Sequence, residues 1–333
     1  MRLKKTFALL AALLLLLLAA AAQAGELRVD FYDMGKADAM LITTPDGVRI
    51  LIDCGTNKGG KALAERFGEA GIDEIDTLII THYDKDHVGG ADKILESVAV
   101  RQVIMPVYDK ESKQHTQFME ALEALEGIAT HPMEIQSDMT MQSPDGVELS
   151  VTSAHRSSYG ADEENDFSLA VRLTYGETKF LFAGDAETPR QLELLEEGNV
   201  ACDVLKVPYH GRLVSASERF LTEAGPKIAY ITDGEEDPAS EELIGILERL
   251  GAQVFTSRED GDVTVVSDGT TVSVMICPGW TSVTVKTRVN PSSRSPLTGR
   301  ICNSCASCRR PSSPVYCAVS PRCSFCAASF VTV

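Results

Sequence analysis

Four side chains able to ligate a metal, His82, Asp84, Asp86 and His87, fall within six residues, directly after the apolar run Thr77-Leu78-Ile79-Ile80. That run has the length and the branched side chains of a buried strand. A strand ending in His-x-Asp-x-Asp-His delivers imidazoles and carboxylates together to its C-terminal edge. Imidazole suits Zn, Fe or Mn and carboxylate suits the harder ions, so the set can hold divalent metals. The bland alternative is a polar loop whose charges face water. It leaves the alternation of His and Asp at a strand end without a packing purpose.

Strand and helix patterns alternate from residue 26 onward. Leu27–Tyr32, Ala39–Thr43 and Val48–Ile52 read as an antiparallel meander turning at Pro45-Asp46-Gly47. Lys61–Ala70 is an amphipathic helix closed by Gly71, and Gly89-Gly90 opens another that runs to about Glu96. After the strand Val98–Met105, residues 106–145 read as irregular and polar around one helix, Ser112 to Leu125, with His115 and His131 as surface residues. A second half repeats the logic. Its strands are predicted at Val147–Ser153, Leu169–Thr174, Lys179–Ala183, Val204–Val207, Ile228–Ile231, Gln253–Thr256, Asp262–Val266 and Thr271–Ile276. Its helices are predicted at Thr188–Glu196, Ser215–Ala224 and Glu241–Leu250. An α/β (α+β) architecture of two mixed sheets covered by outer helices satisfies this order.

Several motifs carry a family resemblance. His82-x-Asp84-x-Asp86-His87 resembles the His-x-His-x-Asp-His signature of metallo-β-lactamase-fold hydrolases, with Asp84 where most members have the second His. Other stretches are similar to the hydrolase domain of ComEC-type competence proteins. These are Phe31 to Ala39 ("DVGQGDA"), Leu51-Ile52-Asp53-Cys54-Gly55 ("LIDxG"), Asn165 to Leu169 ("NxxSL"), Phe180 to Glu187 ("FLxxGDxE") and Asp203 to Gly211 ("DVLKVPHHG"). They arrive in family order over about residues 26 to 277. The resemblance implies a four-layer αβ/βα sandwich whose motifs meet at strand ends on one edge.

The resemblance also implies a site. His82 and Asp84 would serve a first metal, Asp86 and His87 a second, with Asp185 bridging and His210 terminal. Two divalent ions, Zn or Mn, about 3.5–4 Å apart would activate a shared water and clamp attacking and leaving oxygens. Asp53 would orient a ligand or the nucleophile, or else only cap its turn. The family's "HH" is Tyr209-His210 here, so either residue could occupy the ligand position, and His210 is the expected one. No third-motif His lies in line; His155 or the Asn165/Ser168 pair would fill that role or leave it open. Ser168 is expected to hydrogen-bond substrate or to cap a strand. Lys206 is expected to bind a phosphate oxygen or to form a salt bridge.

Charge tempers the substrate. All 48 acidic residues but only 21 of the 31 basic ones lie in residues 25–280, giving that body −27 against −17 for the chain. Such a field repels polyanions and disfavours tight nonspecific DNA binding driven by counterion release. Residues 1–24 read as a bacterial export signal: Arg2, Lys4 and Lys5, an apolar stretch from Phe7 to Ala22, and Ala22-Gln23-Ala24 before Gly25. The membrane is involved only if that segment stays uncleaved. Residues 281–333 are rich in Ser, Arg, Pro and Cys and carry no acid. Their cysteines fit a zinc ribbon, disulfides or an unstructured extension. Cys54, Cys202 and Cys277 read as small buried residues. The expected function is an exported, metal-dependent phosphodiesterase or DNA-degrading nuclease without a stable protein partner. The alternatives are a hydrolase of another small ester or phosphoester, or a metal-poor, non-catalytic binding protein.

Overall fold

A computed structural model describes residues 25–125, 130–160, 164–276 and 331–332. The targeting segment expected over residues 1–24 lies outside the described residues. So do Cys277 and the six tail cysteines.

In chain order the first six strands are β1 (Leu27–Phe31), β2 (Met40–Thr43), β3 (Arg49–Ile52), β4 (Glu74–Ile79), β5 (Ala99–Pro106) and β6 (His131–Ile135). The next seven are β7 (Met139–Gln142), β8 (Val147–Thr152), β9 (Ala170–Tyr175), β10 (Thr178–Phe182), β11 (Val204–Lys206), β12 (Ile228–Ile231) and β13 (Gln253–Thr256). The chain then returns through β14 (Val263–Ser267), β15 (Val272–Ile276) and β16 (Val331–Thr332). The first sheet has the order β16-β15-β14-β1-β2-β3-β4-β5-β6 and the second β13-β12-β11-β10-β9-β8-β7. Each is mixed: β3 to β6 pair in parallel beside an antiparallel meander, as do β10 to β13.

Period-2 burial explains the layers. Ile50 and Ile52 of β3 join Phe31, Phe180, Phe182 and Tyr230 in a core fed by both sheets, where the Phe31 and Tyr230 rings stand 4.7 Å apart. Leu51, between them, points the other way, to Leu63 and Phe67 of helix α1 (Asn57–Ala70). Helices α2 (Ala91–Ser97) and α3 (Lys113–Leu125) complete that outer layer through Ile94, Leu95, Phe118 and Leu122. On the second sheet, α4 (Thr188–Glu197), α5 (Ser217–Ala224) and α6 (Glu241–Arg249) bury Leu194, Phe220, Leu243 and Leu247, and a short turn α7 (Ser257–Asp260) follows β13. The four-layer αβ/βα sandwich is therefore the fold. Cys54 and Cys202 are buried in it, as expected.

Three local differences have physical causes. α1 starts four residues before the predicted Lys61, because the Thr56 hydroxyl accepts the Gly59 N–H at 3.1 Å and caps an otherwise glycine-weakened first turn. The stretch predicted as irregular carries β6 and β7, edge strands of the two sheets whose largely exposed faces give little hydrophobic alternation. His115 is half-buried rather than a surface residue: its ring lies 4.2 Å from that of Tyr83 and its Nδ1 is 2.7 Å from the Lys110 carbonyl. His131 is exposed on β6.

Candidate metal centre

The parallel strands β3, β4, β10, β11 and β12 all end at one edge, the usual place for a site in open α/β sheets. Asp53 follows β3 with φ +57, a left-handed conformation that Asp tolerates better than most residues. Thr81 and His82 follow β4, and a tight turn then returns His87, its N–H bonded to the Asp84 carbonyl at 2.9 Å. Asp185 follows β10 through Gly184 at φ +54; a Cβ there would sit 2.7 Å from the Ser168 hydroxyl, so only glycine lets the two segments close. After β11, Tyr209, His210 and Gly211 have φ of +52, +51 and +74. Left-handed conformation in two successive non-glycine residues costs of order 1–3 kcal/mol each. It turns His210 inward, 1% exposed, while Tyr209 lies beside Arg212 with the guanidinium 5.2 Å from its ring centre.

The inward atoms converge. His87 Nε2 is 3.4 Å from both His210 Nε2 and Asp185 Oδ1. His210 Nε2 is 3.0 Å from Asp185 Oδ2 and 3.5 Å from Asp86 Oδ2. Ligands held about 2.0–2.1 Å from a four-coordinate ion stand about 3.3–3.4 Å from one another, so these spacings are those of a coordination shell. His82, His87 and Asp185 also group within 4.8 Å of one another. His82 Nε2 and Asp185 Oδ1 are buried without a hydrogen bond, an arrangement that needs an explanation and that an ion supplies. The donor set fits a divalent metal.

The outward nitrogens are fixed from behind. Asp53 accepts from the Thr81 N–H at 2.8 Å and the Thr81 hydroxyl at 2.7 Å, and its Oδ2 lies 2.9 Å from His87 Nδ1. His210 Nδ1 is 2.9 Å from the Thr232 carbonyl. Both contacts place the proton on Nδ1 and leave Nε2 for a metal. Asp38, fully buried, lies 3.7 Å from His87 Nδ1 and 3.6 Å from His210 Nδ1, and it accepts the Thr232 hydroxyl at 2.6 Å. It faces the backs of both rings and supports them.

Burial opposes charge throughout, yet the mutual pairing wins. Against burial, Asp185, Asp38 and Asp53 hold His87 well above the usual imidazole range, and Asp185 does the same to a lesser extent for His210. In return His210, His87 and Lys206 hold Asp185 well below the carboxylate range. His82 goes the other way: burial, then the neighbouring His87, lower it to about 4, so it stays a neutral ligand.

Five of the predicted site residues, His82, His87, Asp185, His210 and Asp53, meet here, with Asp86 at the rim, its side chain 14% exposed. Others go elsewhere. Asp84 turns away to Lys110, which also pairs with Glu164. Lys206 is fully buried against Asp38, the Gly184 carbonyl at 3.2 Å and Asp185 at 3.5 Å, so it presents no donor to a phosphate. Ser168, also fully buried, accepts the Asp185 N–H at 3.1 Å and acts as a brace for that strand end. His155 lies away from the centre, with Asp138 and Glu197, and Asn165 donates to Glu187. Asp38 and Thr232 are the residues sequence reasoning did not place in the site. The signal for Asp38 was an acid between Ala37 and Ala39 at the mouth of a buried strand.

The chain is similar in sequence to competence-type proteins. The chain is 27% identical over 262 residues to ComE operon protein 3 of Bacillus subtilis, covering 72% of this chain and 33% of that protein. It is 28% identical over 228 residues to Recombination protein 2 of Haemophilus influenzae, covering 67% and 26%. With Competence protein ComA of Neisseria gonorrhoeae it shares 25% over 236 residues, covering 70% and 30%. The chain thus spans a third or less of each of these competence-type relatives. A sequence model of a whole superfamily matches residues 32–232, a span that takes in every residue of the centre from Asp38 to Thr232. With imidazoles and a shared carboxylate converging at the strand ends of a four-layer sandwich, the chain belongs to the metallo-beta-lactamase superfamily.

Proposed function

We propose that this protein is an exported phosphodiesterase that uses Zn or Mn. The observation that carries the reading is the convergence of His87 Nε2, His210 Nε2 and Asp185 at 3.0–3.4 Å. A divalent ion in this set would polarise a phosphoryl oxygen and bring the pKa of water toward about 7. The chain's own residues do the rest. Asp53 and the Thr232 carbonyl hold the imidazole protons on Nδ1, and Asp185 links the ligand strands. At the rim, Lys36 stands 3.7 Å from Asp86, and Lys36 and Arg212 both pair with Asp237. Each cation is paired with an acid, so together the four side chains leave this part of the rim near neutral in an otherwise acidic body.

The body charge of −27 favours a short or small phosphodiester over duplex DNA. A nuclease reading draws its support from the competence-type relatives. Turnover of bis(p-nitrophenyl) phosphate by purified protein, lost with EDTA and in Asp185→Ala and restored to the parent by Mn or Zn, is the expected result. An inert, metal-loaded protein refutes the reading. Plasmid nicking across a salt series separates the polymer from the small substrate. Export rests on the basic and apolar leader of residues 1–24, and a mature N-terminus at Gly25 in the culture medium tests it.

A further inference from the structure

The sequence motifs imply two ions, but the donors around this centre do not divide into two sets. His87 belongs to both groupings of possible ligands, one with His82 and Asp185, the other with Asp38 and His210. Its Nδ1 is engaged by Asp53 at 2.9 Å, so one nitrogen remains, and one nitrogen ligates one ion. An ion using His87, His210 and Asp185 has three protein ligands with Asp86 in reach, enough for a catalytic site. The other side then retains His82 Nε2 and a share of Asp185. Asp84, which would complete it, is held by Lys110, and the Ser168 hydroxyl lies on the Nδ1 side of His82 at 3.4 Å.

A positive charge is already built in beside the shared carboxylate. Lys206 has no exposed surface; its ammonium pairs with Asp38 and stands 3.5 Å from Asp185 Oδ1. A buried cation so placed pairs with Asp38, offsets part of the charge of Asp185 and repels a second ion from the same carboxylate. We infer that the centre takes one divalent ion and that the Lys206 ammonium supplies the second positive charge. This rests on the metal-binding reading above and replaces the ion pair by an ion and a lysine.

Native mass spectrometry of the full chain at saturating Mn, with Mn electron paramagnetic resonance of the same sample, tests the count independently of turnover. One Mn per chain with an uncoupled six-line spectrum is expected. Two Mn per chain with a spin-coupled spectrum overturn this inference alone; no bound Mn or Zn at all overturns the metal reading as well. Lys206→Met combined with Asp38→Asn removes both charges of the pair. With Lys110→Met added, which frees Asp84 for the His82 side, it is expected to raise the count above one at millimolar Mn, while Lys206→Arg alone and Lys110→Met alone each stay at one. A count fixed at one in that folded combined variant removes Lys206 from the role. If that variant does not fold, loss of the one-ion count in folded Lys206→Arg has the same effect.

Discussion

Asp53→Asn separates orientation from charge at a single position. The substitution preserves shape, and Asn tolerates the left-handed backbone at φ +57, so little new strain enters. The parent carboxylate takes three contacts, at 2.8, 2.7 and 2.9 Å. Asn can still accept the Thr81 N–H through its oxygen. Its NH2 then faces the Thr81 hydroxyl, which can rotate to accept, and His87 Nδ1, which cannot accept while it carries a proton. The His87 proton is driven to Nε2, onto the atom that must bind the metal. Losing one hydrogen bond between charged groups costs about 1.5–3 kcal/mol of stability. Loss of a carboxylate behind a ligating histidine weakens metal binding roughly 10- to 100-fold, or about 1.4–2.8 kcal/mol at 1.4 kcal/mol per decade. Urea unfolding and titration of Mn or Zn against a competing chelator measure the two effects. An Asn variant that binds metal as tightly as the parent would refute the orienting role of Asp53.

Three further outcomes follow from the geometry of the protein. Because His87 and His210 are held above the usual imidazole range, a metal must displace their protons at neutral pH. Metal affinity should therefore rise with pH, and calorimetry in buffers of different ionisation enthalpy should show proton release; none released contradicts the charge assignment. Asp166 is raised to about 6, chiefly by burial, although it accepts the N–H groups of Glu187 and Arg190 at the start of α4. The folded state thus keeps that proton longer than the unfolded chain, so this contribution to stability is present at low pH and is lost as pH rises through about 6. Asp166→Asn should flatten that slope between about pH 4 and 6 in urea melts. At Gly60 a Cβ would lie 2.2 Å from the Gly90 Cα, so Gly60→Ala should cost about 1–3 kcal/mol by overpacking; an unchanged urea midpoint argues against that close approach.

What the sequence revealed of this site depended on whether a partner lay nearby in the chain. His82 and His87 announce themselves through their spacing at a strand end, and Asp185 through the Gly184 that precedes it. Lys206 stood in the apolar run Val204-Leu205-Lys206-Val207, a pattern that signals a buried, paired lysine. Its partner Asp38 lies far off in the chain, in the connection between β1 and β2 of the other sheet, and no periodicity joins them. Asp84 read as a ligand because spacing alone cannot show that Lys110, 26 residues later in the irregular stretch, draws it away. The strands of the core were legible because both faces are apolar. The edge strands β6 and β7 were not, because partner backbones rather than burial hold them.

The centre straddles the join between the two sheets. Its imidazoles at His82 and His87 hang from β4, its Asp185 from β10, and its His210 from the turn after β11, 123 residues beyond His87. Neither half of the chain carries the whole donor set, however well it folds. A bound ion would act as a clasp between the sheets, so stripping it should loosen amide exchange along that seam before it disturbs either outer helical layer.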